Sequence, residues 1–554
     1  MALLRMIQLV WLDTFVHSFA GVFILNQPFA HKICNSQVEQ IKVTPVMIEN
    51  IISSINLNSS MGDDGIHPRF LEALKDVLSI PLSIIFNSSL QTGVLPMQFL
   101  SSTVVPIYKK SHRYDPLNYR PISLTSVSCK LLEKLIVNHL NEYLETNSIL
   151  TPQQYGFRAK YSTVDQLIST YNDITAMIDQ GKIVDIVYMD YSKAFDSVCH
   201  HTLLRKLHYI GIRGCLLGWL EVFLSRRMMK VKINASFSQS VAVASGVPQG
   251  SVLGPLLFLV YINYVVSDVL CYYKIFADDT KLYLGFSRSD VASSNVFQHS
   301  IDALTNSSLS WGLKMNAAKC VVMRFCPNNS DILFSGTSPY HINGSPIDFV
   351  PSHSDLGITV DRNLKFHSHI SKRVAMANGI TTNLLACTLS RNAEFLMNIY
   401  MLHVRPLLEY ASSLWNVGYM GDVRLLERVQ RRWTRAVSGL ENLSYGERLV
   451  RLDLFSFQGR LLRSDLILVY KILHGKCAIG VDEIFMLNES SSTRGHPFKL
   501  FKPRSRSECR KRFFSLRVIN AWNSLSYNTV TAESINCFKS LLKVDLGNRL
   551  FEFI

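Results

Sequence analysis

The sequence contains no C-x-x-C pair, and its eleven cysteines, an odd number, are scattered from Cys34 to Cys537. That spacing excludes a disulfide framework and a zinc-finger module, and it fits a reducing compartment. Acidic residues are scarce beside basic ones: 42 Asp and Glu against 57 Lys and Arg, a formal net charge of +15. The excess favours a polyanionic partner, nucleic acid first, the plainer alternative being a basic protein with scattered charge. No collagen-like, low-complexity or acidic disordered tract is present, nor an internal repeat at solenoid periods. The apolar N-terminus is interrupted by Arg5, Asp13 and His17 and lacks a small-residue cleavage site. It reads as a packed helix, or as the ragged start of a longer ancestral chain, and no other segment reads as membrane-spanning.

What remains is a globular composition, 48% hydrophobic over 554 residues, long enough for three or four domains or subdomains. Residues 38–90 read as helical, interrupted at Gly62 and Gly65, with a helix starting near His67-Pro68. "VVPIYKK" reads as a strand ending at Lys109 and Lys110, followed by a turn at Pro121, a short strand, and an amphipathic helix from about Ser128 to Leu144. "KIVDIVYMD" is an apolar strand, 183–189, closed by Asp190, with a helix beginning near His201. "SGVPQGSVLGPLLF" is a Gly/Pro loop entering a buried helix, and "KIFADDTKLYL" a tight hairpin. A helix containing Leu304, Leu309 and Trp311, a turn at Asn316 and the strand "CVVMRFC" complete an expected antiparallel α+β sheet with helices on one side. Past residue 370 the pattern is helical. "DVRLLERVQRRWTRAV" places Arg424, Arg428, Arg431, Arg432 and Arg435 on one face, opposite Leu425, Leu426, Val429, Trp433 and Val437. That face is either a solvated charged surface or a phosphate-backbone contact.

Asp278 and Asp279 stand side by side at the hairpin turn, where like charges repel and strand propensity gains nothing. Either the turn is ordinary solvated punctuation, or a cation sits there. If the hairpin neighbours the strand that ends at Asp190, three carboxylates converge at one sheet edge. Such a set suits hard divalent ions such as Mg²⁺. Two metals could then activate a 3′-hydroxyl and stabilise a leaving pyrophosphate. Cys199-His200-His201 and His367-Ser368-His369 lack a complete ligand set and read better as satisfied or exposed histidines.

The ordered stretches "GDDGIHPRFLEAL", "SLQTGVLP", "VVPIYKK", "NYRPISL", "QQYGFR", "MDYSKAFDSV", "SGVPQGSVLGPLLF", "FADD", "GLKMNAAKC" and "LGITVD" cover about residues 60–365. Together they resemble the reverse transcriptases of non-LTR (LINE-type, jockey-like) retrotransposons. "LEYASSLWN", "ERVQRRWTR", "LSYGERL", "VYKILHG", "RGHPFKL" and "AWNSL" are similar to the thumb and tail of animal elements of this type.

The resemblance implies an α+β right-hand polymerase with an antiparallel palm sheet. Its parts would be an N-terminal helical extension (1–90), fingers and palm (91–360), a helical thumb (361–440) and a basic C-terminal domain (441–554). It implies that Asp190 and Asp278 bind two Mg²⁺ (or Mn²⁺) ions, with Asp279 beside them. Phe195 would be the steric gate against a 2′-hydroxyl, a core aromatic being the alternative, and Asp196 would orient its loop or cap a helix. Arg120 and Lys109 or Lys110 would grip the incoming triphosphate. Gln249, with Gly246 and Gly250 allowing close backbone approach, would reach sugar or template base, and Lys319 would protonate pyrophosphate.

The implied partners are an RNA template, a DNA primer or nicked target and deoxynucleoside triphosphates, with no membrane, in the nucleus and cytoplasm. The chain departs from the family at Gly62-Asp63-Asp64-Gly65, where Gly-Pro-Asp-Gly is usual. The family's preceding endonuclease domain, a ribonuclease H motif set and a terminal zinc knuckle are not evident, so a separate endonuclease would act in trans. A catalytically silent nucleic-acid-binding relic of a truncated element is the alternative. An RNA-dependent RNA polymerase fits less well with Phe195 at the gate and Ala277 before the Asp pair.

Overall fold

The computed structural model describes residues 36–110, 112–287, 292–327, 340–488 and 496–553. The N-terminal helix expected before residue 26 lies outside them. Among the described residues no helix is long and apolar enough to cross a membrane.

Two sheets organise the first 360 residues. In the smaller one, β1 (Ser101–Tyr108) pairs antiparallel with β2 (Tyr119–Leu124) and parallel with β4 (Met228–Ile233), which also carries β5 (Ser236–Phe237) and β6 (Val241–Ala242). The first two strands follow the expected pattern. The β4–β6 ribbon is too short and polar to have been legible.

The larger sheet is built on β3 (Ile183–Met189). It lies between β8 (Asp279–Phe286), itself paired to β7 (Tyr272–Phe276), and β9 (Val321–Phe325), which carries β12 (Asp348–Phe349). The small hairpins β10–β11 (His341–Ile342, Ser345–Pro346) and β13–β14 (Ser352–Asp355, Ile358–Asp361) flank it. All its pairings are antiparallel except β9–β12.

Period-two alternation divides the core. Val184, Ile186 and Tyr188 pack with Tyr283, Met323 and Phe325 against helix Thr163–Asp179. Val187 and Met189 point the other way, into a core with Leu282, Val322, helix Gly254–Ile262 and helix Ala292–Ser310. Helices therefore cover both faces, not one. The reason is that β3 is apolar on both sides, as central strands buried on two faces are.

One polar residue interrupts β3. Asp185, fully buried, takes a two-pronged bond from Arg324 across the β3–β9 ladder (2.6 Å each) and a third from the Tyr340 hydroxyl at 2.7 Å. Three charge-assisted or neutral donors offset the cost of burying that carboxylate.

The C-terminal half is helical and continues the first of these cores, which runs from Leu167 through Trp433 and Trp522 to Leu550. The boundary expected at residue 440 thus falls inside one hydrophobic core. Helix Met420–Arg435 and helix Phe457–Leu473 are locked by buried Glu427, which accepts the Phe457 N–H (3.0 Å) and the Tyr445 hydroxyl. Arg460, also buried, spans to Glu409 at 2.5 Å and to the Phe455 carbonyl at 2.8 Å. The far end of the chain returns to the sheet's supporting helix, where Arg510 donates to Asn172 Oδ1 at 2.8 Å.

Two substitutions should move stability in opposite directions. Asp185→Ala leaves the Arg324 guanidinium unpaired beneath the sheet and should cost about 3–5 kcal/mol. Gly379→Ala, on an exposed helical position with nothing within 4 Å of the new Cβ, should add about 0.5–1 kcal/mol. The midpoint of urea unfolding, by circular dichroism, reads both.

Candidate active site

The β7–β8 hairpin turns in two residues, Ala277 and Asp278, with Phe276 paired to Asp279. Ala277 sits at φ +57°, a left-handed conformation that a non-glycine residue adopts only when its surroundings hold it. Here the holder is the "QQYGFR" segment. Buried Gln154 accepts the N–H of Ala277 (3.0 Å) and of Gly156 (2.8 Å) through one amide oxygen. On either side of it, Tyr155 N–H donates to Ile275 O (2.8 Å) and Ile275 N–H to Gln153 O (2.9 Å). Gly156 lies so close that a Cβ there would come within 2.4 Å of the Ala277 nitrogen.

The register of β3 on β8, with Met189 opposite Thr280, brings Asp190 level with this turn. Asp190 is fixed through its backbone: its N–H points at Cys320 Sγ (3.4 Å) and its carbonyl accepts from Asn316 (2.8 Å). Its carboxylate meets Lys319 Nζ at 3.1 Å. Burial pushes the Asp278 carboxyl above the usual range, the charge of Asp190 adds to the rise, and Lys109 and Arg120 oppose it. Asp279 is pushed up to about 6, first by protein packed around its carboxyl although the side chain reaches solvent, then by Asp278.

The charge of Asp190 thus raises the carboxyls of both Asp278 and Asp279, and Asp278 raises that of Asp279. Among the described residues, no three His, Cys, Asp or Glu side chains stand close enough to hold a metal as they are placed. Mutually repelling, hard oxygen donors that lose water are nonetheless the donor chemistry a divalent cation relieves.

Lys109 and Arg120 come from the paired ends of β1 and β2, where Arg120 lies opposite Ile107. The ammonium of Lys109 titrates below its usual range, chiefly because burial disfavours its charge and next because Arg120 and Lys319 are near. Both Lys109 and Lys110 nonetheless expose their side chains to solvent. So residues far apart in sequence, Lys109, Arg120, Asp190, Asp278 and Lys319, are gathered in one electrostatic neighbourhood.

Phe195 is half-buried, stacked on Phe258 (4.2 Å between centroids) and edge-on to Phe157. Asp196 accepts the Gln249 side-chain amide at 2.9 Å, and the cap position of the following helix is Cys199, which makes no side-chain cap. Of the two roles open to Asp196, the contact is therefore with the loop. The Gln249 carbonyl takes the Ser123 N–H (2.7 Å), and Gly250, at φ +119°, leaves room where a Cβ would meet Ser123 O at 2.5 Å.

Three supports escaped the sequence reading. Glu133, fully buried in helix Val127–Thr146, accepts the N–H groups of Val252 (2.8 Å) and Leu253 (2.9 Å) and so anchors the loop that follows Gln249. A charged residue inside the apolar run "LLEKLIV" was the only available signal. Lys281, buried two residues after Asp279, is held by both oxygens of Asp355 (2.6 Å each), which in turn accepts the Tyr171 hydroxyl at 3.0 Å. Asp63, standing where a proline was expected, accepts the Thr103 hydroxyl and pairs with Lys230 at 3.2 Å, tying its turn to β1 and β4.

On helix Met420–Arg435, Arg424, Arg428, Arg432 and Arg435 are exposed. Arg431 is not on that face: it is half-buried between the rings of Tyr445 (4.8 Å) and Phe553 (5.1 Å), because the helix turns this position toward the C-terminal residues. Three of the four histidines are occupied within the protein, His200 by Gly246 O (2.8 Å), His369 by Thr359 N–H (3.1 Å) and His367 by Asp422 (2.6 Å), and His201 is exposed.

Residues 107–360 match the family model described as "Reverse transcriptase (RNA-dependent DNA polymerase)". The chain is 29% identical over 443 residues to the probable RNA-directed DNA polymerase from transposon BS of Drosophila melanogaster, covering 76% of this chain and 48% of that protein. It is 28% identical to the RNA-directed DNA polymerase from mobile element jockey of the same fly (72% and 44%). It is 26% identical to the probable RNA-directed DNA polymerase from transposon X-element (72% and 44%). The chain thus spans about half the length of the curated relatives it matches.

Gly156→Ala tests whether the 153–156 segment buttresses the hairpin turn. The new methyl must displace backbone at Ala277, so a loss of about 1–3 kcal/mol is expected. Calorimetry reads the lowered Tm, and an unchanged Tm would remove the buttress.

Proposed function

We propose that this chain, whose residues 107–360 match the reverse transcriptase family model and which is similar to the polymerase of mobile element jockey, is an RNA-directed DNA polymerase of a jockey-type non-LTR element. It copies an RNA template into cDNA by two-metal nucleotidyl transfer. The observation that carries the reading is the meeting of Asp190, Asp278 and Asp279 at neighbouring strand ends, faced by Lys109 and Arg120. In hand terms, the sheet of β1, β2, β4, β5 and β6 belongs to the fingers, the β3–β7–β8–β9 sheet to the palm, and the helices after residue 361 to a thumb joined to the C-terminal region.

Divalent ions, Mg²⁺ or Mn²⁺, held by Asp190, Asp278 and Asp279 would activate the primer 3′-hydroxyl and stabilise the departing pyrophosphate. The chain's own residues do the rest by positioning and charge. Arg120 and Lys109 grip the triphosphate, with Lys110 at the rim. Phe195, backed by Phe258 and unable to retreat, bars a 2′-hydroxyl. Gln249, held at side chain and backbone, faces the sugar or template base beside Gly250. Lys319, paired with Asp190, is placed to give a proton to pyrophosphate. Exposed Arg424, Arg428, Arg432 and Arg435 contact the template–primer backbone, and Arg431 supports their helix from within. The working compartments are nucleus and cytoplasm.

The test is primer extension on poly(rA)/oligo(dT) with dTTP and Mg²⁺. The parent chain should extend the primer, EDTA should stop it, and Asp278→Ala should abolish it. Extension by Asp278→Ala at the parent rate would overturn the assignment. No extension by a folded parent that still binds the duplex would favour the silent relic. Phe195→Val should raise the use of rUTP relative to dTTP at least tenfold, about 1.4 kcal/mol. An unchanged ratio would leave Phe195 a core aromatic only.

A further inference from the structure

After β16 (Leu500–Phe501), which pairs with β15 (Met486–Leu487), the segment Lys502-Pro503-Arg504-Ser505 belongs to no helix, strand or turn, and the chain bends at Arg506 and Ser507. Exposure alternates along it: Lys502, Arg504 and Arg506 are exposed, while Pro503 and Ser505 are half-buried. The alternation has the period of a strand, and an extended chain would set such cations on one side at steps of about 6.6 Å. Among the described residues none of the three takes part in an ion pair, although Glu508 is close in sequence. Glu508 is bound instead by Arg512 at 2.6 Å.

The segment is fastened at both ends. Leu500 exchanges two hydrogen bonds with the Asn523 side chain (2.9 and 2.8 Å). At the other end, Asp179 Oδ1 accepts the N–H of Arg506 and of Ser507 (2.7 Å each) and the Ser507 hydroxyl (2.8 Å). The fastening uses backbone groups and leaves the cationic side chains unspent. Pro503, with no N–H to donate, suits an edge that does not recruit another strand.

Three unpaired cations on a fixed backbone need no ordering before they meet a polyanion. Their regular step resembles the repeat of charges along an extended nucleic-acid strand, whereas one straight row follows a helical duplex groove poorly. The row is also remote from the carboxylates. Asp179 lies at the end of β3 opposite to Asp190, and the seven residues of β3 alone span about 20 Å.

We propose that Lys502, Arg504 and Arg506 form a second nucleic-acid contact, a comb that binds the phosphodiester backbone of a single strand without reading its bases. It serves to hold a strand away from the site of synthesis. The contact stands whether or not the polymerase chemistry is intact.

The experiment compares the full chain with the triple variant Lys502→Gln/Arg504→Gln/Arg506→Gln in binding a labelled single-stranded RNA and a single-stranded DNA of equal length. A duplex serves as third arm, without metal or nucleotides. At about 0.1 M salt the variant should bind single strands about tenfold more weakly or worse. The slope of log affinity against log salt should flatten by about 2, the value for three contacts on single strands. The charge-preserving triple Lys502→Arg/Arg504→Lys/Arg506→Lys should restore affinity and slope, and Tm should match the parent in both variants. Loss with RNA alone, DNA alone or both identifies which strand the comb holds.

Unchanged affinity and slope in both single-strand arms, a loss confined to duplex, or a lowered Tm would overturn the proposal. Primer extension by the parent, measured separately, reads the polymerase assignment independently of this result.

Discussion

Keeping like charges together is the constraint around which the site is arranged. Asp278 and Asp279 follow one another at a hairpin turn that β8 sets beside the end of β3, where Asp190 stands. Burial and mutual repulsion raise the carboxyls of Asp278 and Asp279, so the chain must be forced to present them. The forcing groups are identifiable. Gln154 and Gly156 hold Ala277 in its left-handed conformation, Asn316 and Cys320 fix the Asp190 backbone, and the Lys281–Asp355 pair packs behind Asp279. Local strain of this kind persists only where surrounding structure over-determines it.

The same logic extends to the loop that carries Gln249. Its side chain is fixed by Asp196, its carbonyl by Ser123, and the residues after it by Glu133, each from a different element. A buried carboxylate capping two N–H groups costs desolvation and returns it through charge-assisted bonds, and burial pushes the Glu133 carboxyl up even so. Segments beside the two sheets are thus joined at Gln249 by hydrogen bonds rather than by apolar packing, and such bonds fix orientation more narrowly.

The C-terminal region shows a second kind of dependence. It is not an appended body: the core that supports the even-numbered face of β3 continues into Trp433, Trp522 and Leu550. Arg510, Ser507 and Glu483 bond to the helix Thr163–Asp179 that backs the sheet. The helix behind the sheet is therefore held by residues more than three hundred positions away from it. Arg431 belongs to that internal packing, which is why one arginine of a regular row left the exposed face.

Much of this was readable in the chain itself. The apolar run 183–189 closed by Asp190, the ADD turn and the Gly/Pro loop before a buried helix each carry a local pattern, because strand alternation, turn chemistry and helix entry are encoded over a few residues. Tertiary structure alone decided the rest. That β3 is covered on both faces, that Asp63 replaces a proline with a tie to β1 and β4, and that one hydrophobic core runs across residue 440 depend on partners distant in sequence. Which face of a strand or helix meets which neighbour is set by packing and by the need to pair buried charge, and no window of adjacent residues contains that information.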